Sequence, residues 1–418
     1  MDNSNQNLKK KAVLDIISGK SNEDPFPIFS ELREIGPVIP ISSPIGKIDG
    51  QTWMVTRMKE AMQVLKDYAR FTVDPSSIEG SSIDVRKSGS DPSAPPTFLN
   101  SKSMLSVDEP DHKRLRRLVS KVFTPKYMES LRPQVEQIAN DLLDKVQDKG
   151  EMDLVKDYAY PLPINVISNM LGVPIEDHKQ IQHWSSAIAN GRGLGRQDPG
   201  IAKQIRAFGE YIVELVAYKR QHPDDDLISQ LVAIEEEGDK LDEAELISMI
   251  SLLIFAGHET TSNLIATGTL MLLDHPEQLK KLKNDYTLVP GAVEELLRFN
   301  GPATIAGPRF ATEDIEIGGQ HIKKGDMIIP LVKSVNRDEM QFQDPENLDI
   351  TREIKRHLAF GHGIHMCLGA PLARVEGDVA FSTLLKRMPN LSLNIPRENV
   401  DWHFTLSSQG LTSLPVTF

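Results

Sequence analysis

The segment FGHGIHMCLG, residues 360–369, contains the only cysteine of this 418-residue chain. A single cysteine excludes an internal disulfide framework, so packing and hydrogen bonding must hold whatever fold the chain adopts. A lone thiol of this kind is inert filling, a nucleophile or a metal ligand. Three glycines lie within six residues of Cys367. They give the backbone around the thiol unusual freedom and let another group approach it closely.

Charge and hydropathy patterning exclude several classes of protein. The formal net charge is -12, whereas general nucleic-acid binding needs a basic surface. The first twenty residues carry lysines but no apolar segment of the length that a signal peptide requires. The longest apolar run, residues 247–256, is about half as long as a bilayer span. We therefore expect a cytoplasmic protein that binds neither nucleic acid nor membrane.

Helical periodicity dominates the chain. Apolar residues recur at three- and four-residue spacing over residues 127–146, 205–220 and 241–273. Strand patterns are short and come from distant parts of the sequence, at residues 38–41, 52–56 and 315–331. The last of these is interrupted by Gly318-Gly319 and by Gly325-Asp326.

Two long segments lack either periodicity. Residues 74–96 are rich in serine, proline, glycine and aspartate, and residues 190–200 contain four glycines and a proline. Loops of this length inside a compact protein are usually lids or disordered segments. No clean linker and no repeat divides the chain. We predict a mainly α fold with small β-sheets, in which residues 1–418 form a single domain.

The residues after Cys367 indicate how its thiol is placed. Residues 368–388 have a helical pattern, with Pro371 near the first turn, where proline is tolerated. Cys367 would then precede a helix N-terminus, whose free amides and dipole stabilise a thiolate. An anionic sulfur suits a soft metal such as iron. One cysteine is too few for an iron–sulfur cluster or a structural zinc site, but it is enough for the axial ligand of a haem.

The same segment resembles a family pattern. FGHGIHMCLG matches the cysteine-loop pattern FGxGxHxCxG of cytochromes P450 at every specified position. The chain resembles soluble bacterial P450s of the macrolide-hydroxylase type over most of its length. This resemblance implies the cytochrome P450 fold and, as cofactor, haem b (iron protoporphyrin IX). It also implies that Cys367 is the thiolate ligand of the iron and that Phe360 belongs to the haem site.

A second motif interrupts the apolar stretch 241–273. AGHETT, residues 256–261, places a glycine, two threonines and Glu259 where helix propensity disfavours them. The residues alone allow two interpretations, a solvated turn with an exposed glutamate or a groove opened by small residues and a back-bonding hydroxyl. The motif also resembles the I helix of P450s. That resemblance implies that Ala256 borders the haem and that Glu259 and Thr260 form an acid–alcohol pair that organises water and delivers protons.

Basic residues match the haem cradle of the family. His112 and Arg116 lie four residues apart on one face of a predicted helix, which by itself is typical of any basic, solvated helix. The resemblance implies that this pair binds a haem propionate. It assigns the same role to Arg309, in GPRFA, and to His365. Arginine is well suited to a bidentate clamp on a carboxylate.

The segment EELLR, residues 294–298, places Glu295 and Arg298 three residues apart. Such pairs are common on helix surfaces, so the pattern alone is weak. In this position along the chain it resembles the K-helix ion pair of P450s, a structural contact. Many family members add a third cation, but the matching position here is Asn347, which departs from the pattern; Arg352 is the alternative.

The resemblance implies a haem-thiolate monooxygenase that inserts one atom of O2 into a C–H or C=C bond of a hydrophobic small molecule. We see no reductase region in the sequence, so we expect electrons to come from a separate ferredoxin or flavodoxin-type partner and its NAD(P)H-dependent reductase. A positive patch is formed by Lys113, Arg114, Arg117 and Lys121, and on an otherwise acidic chain it would attract an acidic partner.

Two other functions stay open. One is a peroxygenase or desaturase, which the Glu259–Thr260 pair disfavours. The other is a haem-thiolate binding or sensor protein without turnover. The substrate is not specified by the sequence and ranges over polyketides, steroids, terpenoids and fatty acids. Family analogy places its pocket near residues 74–96, 190, 251–256, 303–306 and 408–411.

Overall fold

The computed structural model describes residues 24–44, 50–81, 94–121, 123–190, 198–233, 241–404 and 407–418. The helices of this part are α1 Phe26–Ile35, α2 Met58–Lys66, α3 Asp111–Ser120, α4 Pro125–Ser130, α5 Arg132–Asp144, α6 Pro161–Leu171, α7 His178–Asn190, α8 Pro199–Gln221, α9 Leu227–Ala233, α10 Glu243–Asp274, α11 Pro276–Asn284, α12 Val289–Asn300, α13 Val332–Val335 and α14 Ala370–Arg387. The strands are β1 Val38–Ile41, β2 Thr52–Val55, β3 Phe71–Thr72, β4 Glu151–Asp153, β5 Arg309–Ala311, β6 Ile315–Ile317, β7 Gln320–Ile322, β8 Met327–Pro330, β9 Ser392–Leu393, β10 Trp402–Phe404, β11 Gln409–Leu411 and β12 Pro415–Thr417. The predicted mainly α fold with small β-sheets is confirmed.

The long predicted helices had different outcomes. Residues 205–220 lie inside α8, and residues 241–273 form α10 with ends shifted by one or two residues. Asp242 begins α10 with a capping box, because its carboxylate accepts from the Glu245 amide while the Glu245 side chain accepts from the Asp242 amide. Residues 127–146 are not one helix. They divide between α4 and α5 around Leu131, because Pro133 in the first turn of α5 has no amide hydrogen to continue a helix.

The largest sheet joins distant segments. Its order is β1-β2-β8-β5-β3, in which β1 pairs antiparallel with β2 and β2 pairs parallel with β8. The short hairpin of β6 and β7 turns at Gly318 and Gly319, as predicted. Strand β5 is inside the sheet and carries Arg309 at its first position. The sheet therefore fixes the position of Arg309, which the sequence predicted to bind a haem propionate.

Helix α10 is the central element of the helical part. It packs against α6, α8, α12 and α14, and most of its residues are buried. Two residues in its middle, Ala256 and Thr260, are exposed although the residues on either side of this turn are buried. Because they are four residues apart, they lie on one face of the helix. The described residues therefore leave this face of the helix uncovered.

Parts of both predicted loops can be compared with the structure. Residues 75–77 form a single 3-10 turn, and residues 82–93 lie outside the described residues. Helix α7 ends at Asn190 and α8 begins at Pro199, while residues 191–197 also lie outside the described part. Among the helices given above, none combines the length and apolar character needed to cross a bilayer.

Candidate active site

The loop before α14 is held by close packing on α2. A Cβ on Gly363 would lie less than 3.0 Å from the carbonyl oxygen of Leu65, so only glycine allows the loop to approach this helix end. The Cys367 amide donates to the carbonyl of Phe360 at 2.9 Å and closes the loop. The Phe360 ring lies 4.6 Å from the guanidinium of Arg374 on α14. The loop therefore has one defined position between α2 and α14.

The thiol of Cys367 lies just before the N-terminus of α14, as the sequence predicted. Burial raises the pKa of the thiol, while amide hydrogen bonds from Gly369 and Ala370 and the charge of Arg116 act to lower it. The side chain nevertheless has accessible surface. The thiol is thus closely surrounded by protein atoms and yet keeps accessible surface. This arrangement suits a soft metal ligand.

The AGHETT motif lies on the exposed face of α10. The Thr260 hydroxyl donates to the Ala256 carbonyl at 3.2 Å, which is the back-bonding arrangement that the sequence allowed. Packing between helices explains why this motif contains a glycine. A Cβ on Gly257 would lie 2.8 Å from a side-chain carbon of Ile167, so this glycine lets α10 pack closely on α6.

Glu259 lies at the junction of α10 and the strand β11. The Ser408 hydroxyl, one residue before β11, donates to a Glu259 carboxylate oxygen at 3.3 Å. One turn later along α10, Asn263 lies so close to Gly410 that a Cβ there would approach it to less than 3.0 Å. The sequence did not indicate this contact, because 149 residues separate Glu259 from Ser408.

Two of the predicted propionate ligands are buried polar groups. Arg309 is 5% exposed, donates to the carbonyls of Gly307 and Pro308, and forms no ion pair with a carboxylate of the described residues. Burial lowers its pKa to about 10. His112 is 2% exposed, and its Nε2 has no hydrogen-bond partner in the described part of the chain. Burial, followed by the charges of His365 and Arg116, lowers the pKa of His112 to about 4.

The other two residues predicted to bind a propionate, His365 and Arg116, already have hydrogen-bond partners within the protein. The two ring nitrogens of His365 lie 2.8 Å from a carboxylate oxygen of Asp108 and 3.1 Å from the carbonyl of Met104. Burial alone would raise the pKa of Asp108, but hydrogen bonds from His365 and from Thr72 lower it. A propionate contact at His365 would require exchange of the Asp108 carboxylate for the ligand, so this assignment stays a prediction. Sequence reasoning missed Asp108, although it stands four residues before His112.

Arg116 connects α3 to the cysteine loop. Its guanidinium donates to the carbonyl of Met366 at 2.6 Å. Burial lowers the pKa of Arg116, and the charge of Cys367 opposes this effect. The contact places a cation close to the thiol. Its predicted bond to a propionate stays a prediction.

Glu295 and Arg298 form a fully buried ion pair, with two hydrogen bonds of 2.7 Å. Asn347 contributes its backbone carbonyl, which accepts from Arg298 at 3.4 Å. A third cation is also present, because Arg352 donates to Glu295 at 3.2 Å. The alternative cation that the sequence suggested therefore contacts this pair.

The predicted positive patch on α3 needs a correction. Arg114 is half-buried and forms an ion pair with Glu245 of α10, so its charge is already partly balanced within the protein. Lys113, Arg117 and Lys121 are exposed and recur every four residues. Because this spacing places them on one helix face, we refer to these three residues as the basic stripe.

Comparison with known proteins places this site in a family. Cytochrome P450 CYP107DY1 of Priestia megaterium is 44% identical to this chain over 418 residues, which cover 98% of this chain and 100% of the relative. The chain belongs to the cytochrome P450 family. The family model described as Cytochrome P450 matches residues 201–400.

Other P450s support the same assignment. The 6-deoxyerythronolide B hydroxylase of Saccharopolyspora erythraea is 38% identical over 411 residues, 97% of this chain and 98% of that protein. The solved structure of the bacillaene polyketide synthase P450 PksS of Bacillus subtilis 168 has a TM-score of 0.84 and 41% identity, and it covers 94% of this chain and 96% of that chain. This P450 is therefore a monooxygenase of the haem-thiolate type.

The residues of this P450 fit the haem that the family uses. Cys367 offers an amide-stabilised sulfur, and Arg309 and His112 offer a buried cation and an unsatisfied buried nitrogen. Buried groups of the last two kinds are stable only with a polar or anionic partner. The two carboxylates of a haem would supply such partners.

A separate cleft lies away from this site. Its volume is about 860 Å³, and it is located between the start of α1 and the hairpin β10–β11, with Phe26, Met271, Trp402 and Phe404 in its lining. The lining includes none of the predicted haem or proton-delivery residues. This cleft is therefore not the site that the sequence predicted.

Proposed function

We propose that this P450 inserts one atom of O2 into a C–H or C=C bond of a hydrophobic substrate, using haem b and electrons from a separate redox protein. The observation that carries the proposal is the Cys367 thiol, which lies by the backbone amides of Gly369 and Ala370 and keeps accessible surface. Haem supplies the binding and reductive activation of O2 when it is bound. Cys367 would hold the iron through its sulfur, and a thiolate ligand would favour O–O cleavage.

The cradle residues would hold the haem by its carboxylates. Arg309 keeps a buried positive charge on β5 without a carboxylate partner among the described residues, which supports a contact to one propionate. His112 is neutral at pH 7, because its pKa is about 4, and its Nε2 would take part in a hydrogen bond to the other propionate or to water. Arg116 adds a charge beside the cysteine loop.

Glu259 and Thr260 would deliver the protons that the reaction of O2 requires. The Thr260 hydroxyl is exposed on the internal face of α10 and orders water there, since it keeps lone pairs available while it donates to Ala256. The Glu259 carboxylate, held by Ser408, carries a proton between that water and the outside. General acid–base groups in such positions contribute about 10² to 10⁴ in rate.

The basic stripe would receive an acidic ferredoxin or flavodoxin-type partner. It lies on the same helix as Arg116, which contacts the cysteine loop. Two further cations, Arg356 and Lys66, lie near His362 of that loop, where burial and then their charges lower the pKa of the histidine. Complementary charge mainly increases the rate of encounter.

The substrate is proposed to be a hydrophobic molecule, with polyketides as the first class to test. Phe98 stacks on Phe255 at 5.1 Å beside Ala256, so apolar rings lie next to the exposed face of α10. Ser251, which family analogy assigned to the pocket, is fully buried and accepts from the Phe98 amide. The name of one similar protein given above, PksS, refers to a polyketide synthase.

The experiment compares Thr260→Ala and Glu259→Gln with the parent, using a substrate found by its shift of the haem spectrum. Product, NAD(P)H consumption and hydrogen peroxide are measured together. Thr260→Ala should consume NAD(P)H but release peroxide, because the hydroxyl that orders water is lost. Glu259→Gln should slow turnover itself.

A matched control is Thr269→Ala. Thr269 also donates to a carbonyl four residues earlier on α10, at 2.8 Å, but it is buried away from the exposed face. This variant should keep the coupling of NAD(P)H to product. Unchanged coupling in Thr260→Ala together with unchanged turnover in Glu259→Gln would refute the assignment. Product formed only with added peroxide would favour a peroxygenase, and no product under either condition would favour a sensor.

A further inference from the structure

His258 lies beside Glu259 on α10 but faces the protein interior. It is 0% exposed, and its Nδ1 lies 2.9 Å from the carbonyl of Ile254. A carbonyl only accepts, so Nδ1 carries a proton. Burial lowers the pKa of His258 to about 4, so the imidazole is neutral at pH 7. Its Nε2 is then a hydrogen-bond acceptor.

This acceptor lies next to a buried donor. The rings of His258 and Tyr160 meet at 5.4 Å with an interplanar angle of 70°. Both His258 Nε2 and the Tyr160 hydroxyl are buried, and neither has a hydrogen-bond partner of normal geometry among the described residues. Burial raises the pKa of Tyr160, and the nearby Ser186 hydroxyl acts to lower it. Two complementary polar atoms thus belong to rings in edge-to-face contact, and no hydrogen bond joins them.

Buried polar atoms in folded proteins are satisfied by protein or by ordered water, because an unsatisfied group destabilises the fold. We propose that one ordered water molecule bridges the Tyr160 hydroxyl and His258 Nε2, and that this bridge positions Glu259. The water accepts from Tyr160 and donates to Nε2, and its remaining hydrogen is directed to the Ser186 hydroxyl. Three such bonds are typical of a buried water.

The bridge connects three helices at the turn that carries the acid. Tyr160 precedes α6, Ser186 lies on α7, and His258 is the residue before Glu259 on α10. The charge of Glu259 also raises the pKa of Tyr160, so the carboxylate lies close enough to interact with this junction. Fixing the His258 ring fixes the rotation of this turn, and with it the direction of the Glu259 side chain. This second step, unlike the water site, rests on the function proposed above.

The first test needs no catalysis. A crystal structure of the haem-loaded protein, at a resolution that shows ordered water, should contain one water within hydrogen-bond distance of both Nε2 and the Tyr160 hydroxyl. A direct side-chain bond to either atom, or a dry junction, would overturn the proposal. This result is independent of whether the parent enzyme forms product.

The second test concerns positioning. Tyr160→Phe removes only the hydroxyl and should lower product formed per NAD(P)H on the order of fivefold, the effect of one hydrogen bond on an equilibrium. His258→Phe should do the same, and the double variant should match either single one, because all three lose one bridge. His258→Gln, whose amide oxygen accepts a hydrogen bond, should recover part of the coupling.

The matched control is Tyr158→Phe. Tyr158 is a neighbouring buried tyrosine whose hydroxyl donates to the carbonyl of Ala380 at 2.9 Å. Loss of this hydroxyl should lower the unfolding temperature and leave the amount of product formed per NAD(P)H unchanged. Equal coupling in Tyr160→Phe and the parent, or additive losses in the double variant, would reduce the junction to a structural contact and refute its positioning role.

Discussion

Substitution of Gly363 by alanine isolates the packing of the cysteine loop. A Cβ at this position would lie less than 3.0 Å from the Leu65 carbonyl oxygen, and 3.1 Å from both the Leu65 carbonyl carbon and the Lys66 Cα. These are backbone atoms of α2 and its end, so they cannot move aside as a flexible side chain would. Gly361 provides the control, because its φ of 70° is close to the 75° of Gly363 but the nearest atom to its Cβ is 3.8 Å away.

The two substitutions share one cost and differ in another. Left-handed backbone conformation costs an alanine about 1–2 kcal/mol relative to glycine at either position. Only Gly363→Ala adds the cost of overpacking, typically about 1–3 kcal/mol. We therefore expect Gly363→Ala to be about 1–3 kcal/mol less stable than Gly361→Ala. Since the loop must shift to relieve the contact, the sulfur of Cys367, four residues later, should move as well.

The assay combines thermal unfolding with the spectrum of the reduced, CO-bound protein. Gly361→Ala should keep the red-shifted Soret band of a thiolate-ligated haem and lose a few degrees of unfolding temperature. Gly363→Ala should lose more stability and convert part of the band to the form without thiolate ligation. Equal losses in the two variants, with the thiolate band intact in both, would show that the contact with Leu65 does not hold the loop.

Three further variants test single roles. Cys367→Ala should abolish the thiolate Soret band of the reduced CO complex, and a band that persists would remove Cys367 as the iron ligand. Arg309→Ala should lose haem to apomyoglobin faster than the parent while keeping the thiolate band. Arg309→Lys should be intermediate, because the charge remains but the bidentate guanidinium does not. Haem loss at the parent's rate in both variants would contradict the propionate contact. Arg117→Glu should slow reduction of the haem by the redox partner far more at low salt than at high salt. Substitution of Lys203, an exposed lysine of α8, by glutamate should not slow it. Equal reduction rates for Arg117→Glu and the parent at low salt would exclude the basic stripe as the docking site of the partner.

Much of the fold, and the position of Cys367 just before a helix, could be predicted from the sequence. Local patterns sufficed for α10 and for the helix after Cys367, because apolar periodicity and a first-turn proline act over a few residues. The division of residues 127–146 into two helices was missed, although Pro133 was the signal for it.

The rest of the site depends on contacts between distant segments. The hydrogen bond from Ser408 to Glu259 and the packing of Gly363 on Leu65 leave no local pattern, since their partners are far apart in the chain. The structure pairs His365 with Asp108, whereas the sequence motif predicted a propionate as its partner. The motif names only the histidine and so could not indicate Asp108. Sequence patterns thus identify which groups are present, but three-dimensional packing decides which of them are already engaged.

The parallel pairing of β2 with β8 has a consequence for synthesis on the ribosome. Residues 52–55 can pair with residues 327–330 only after more than half of the chain has followed them. At translation rates of 5–20 residues per second, the interval is on the order of tens of seconds. During this time β2 has an open edge, which is a site for aggregation. Chaperone occupancy of the nascent chain should therefore persist until β8 emerges, and haem incorporation, which awaits Cys367, should be a post-translational event.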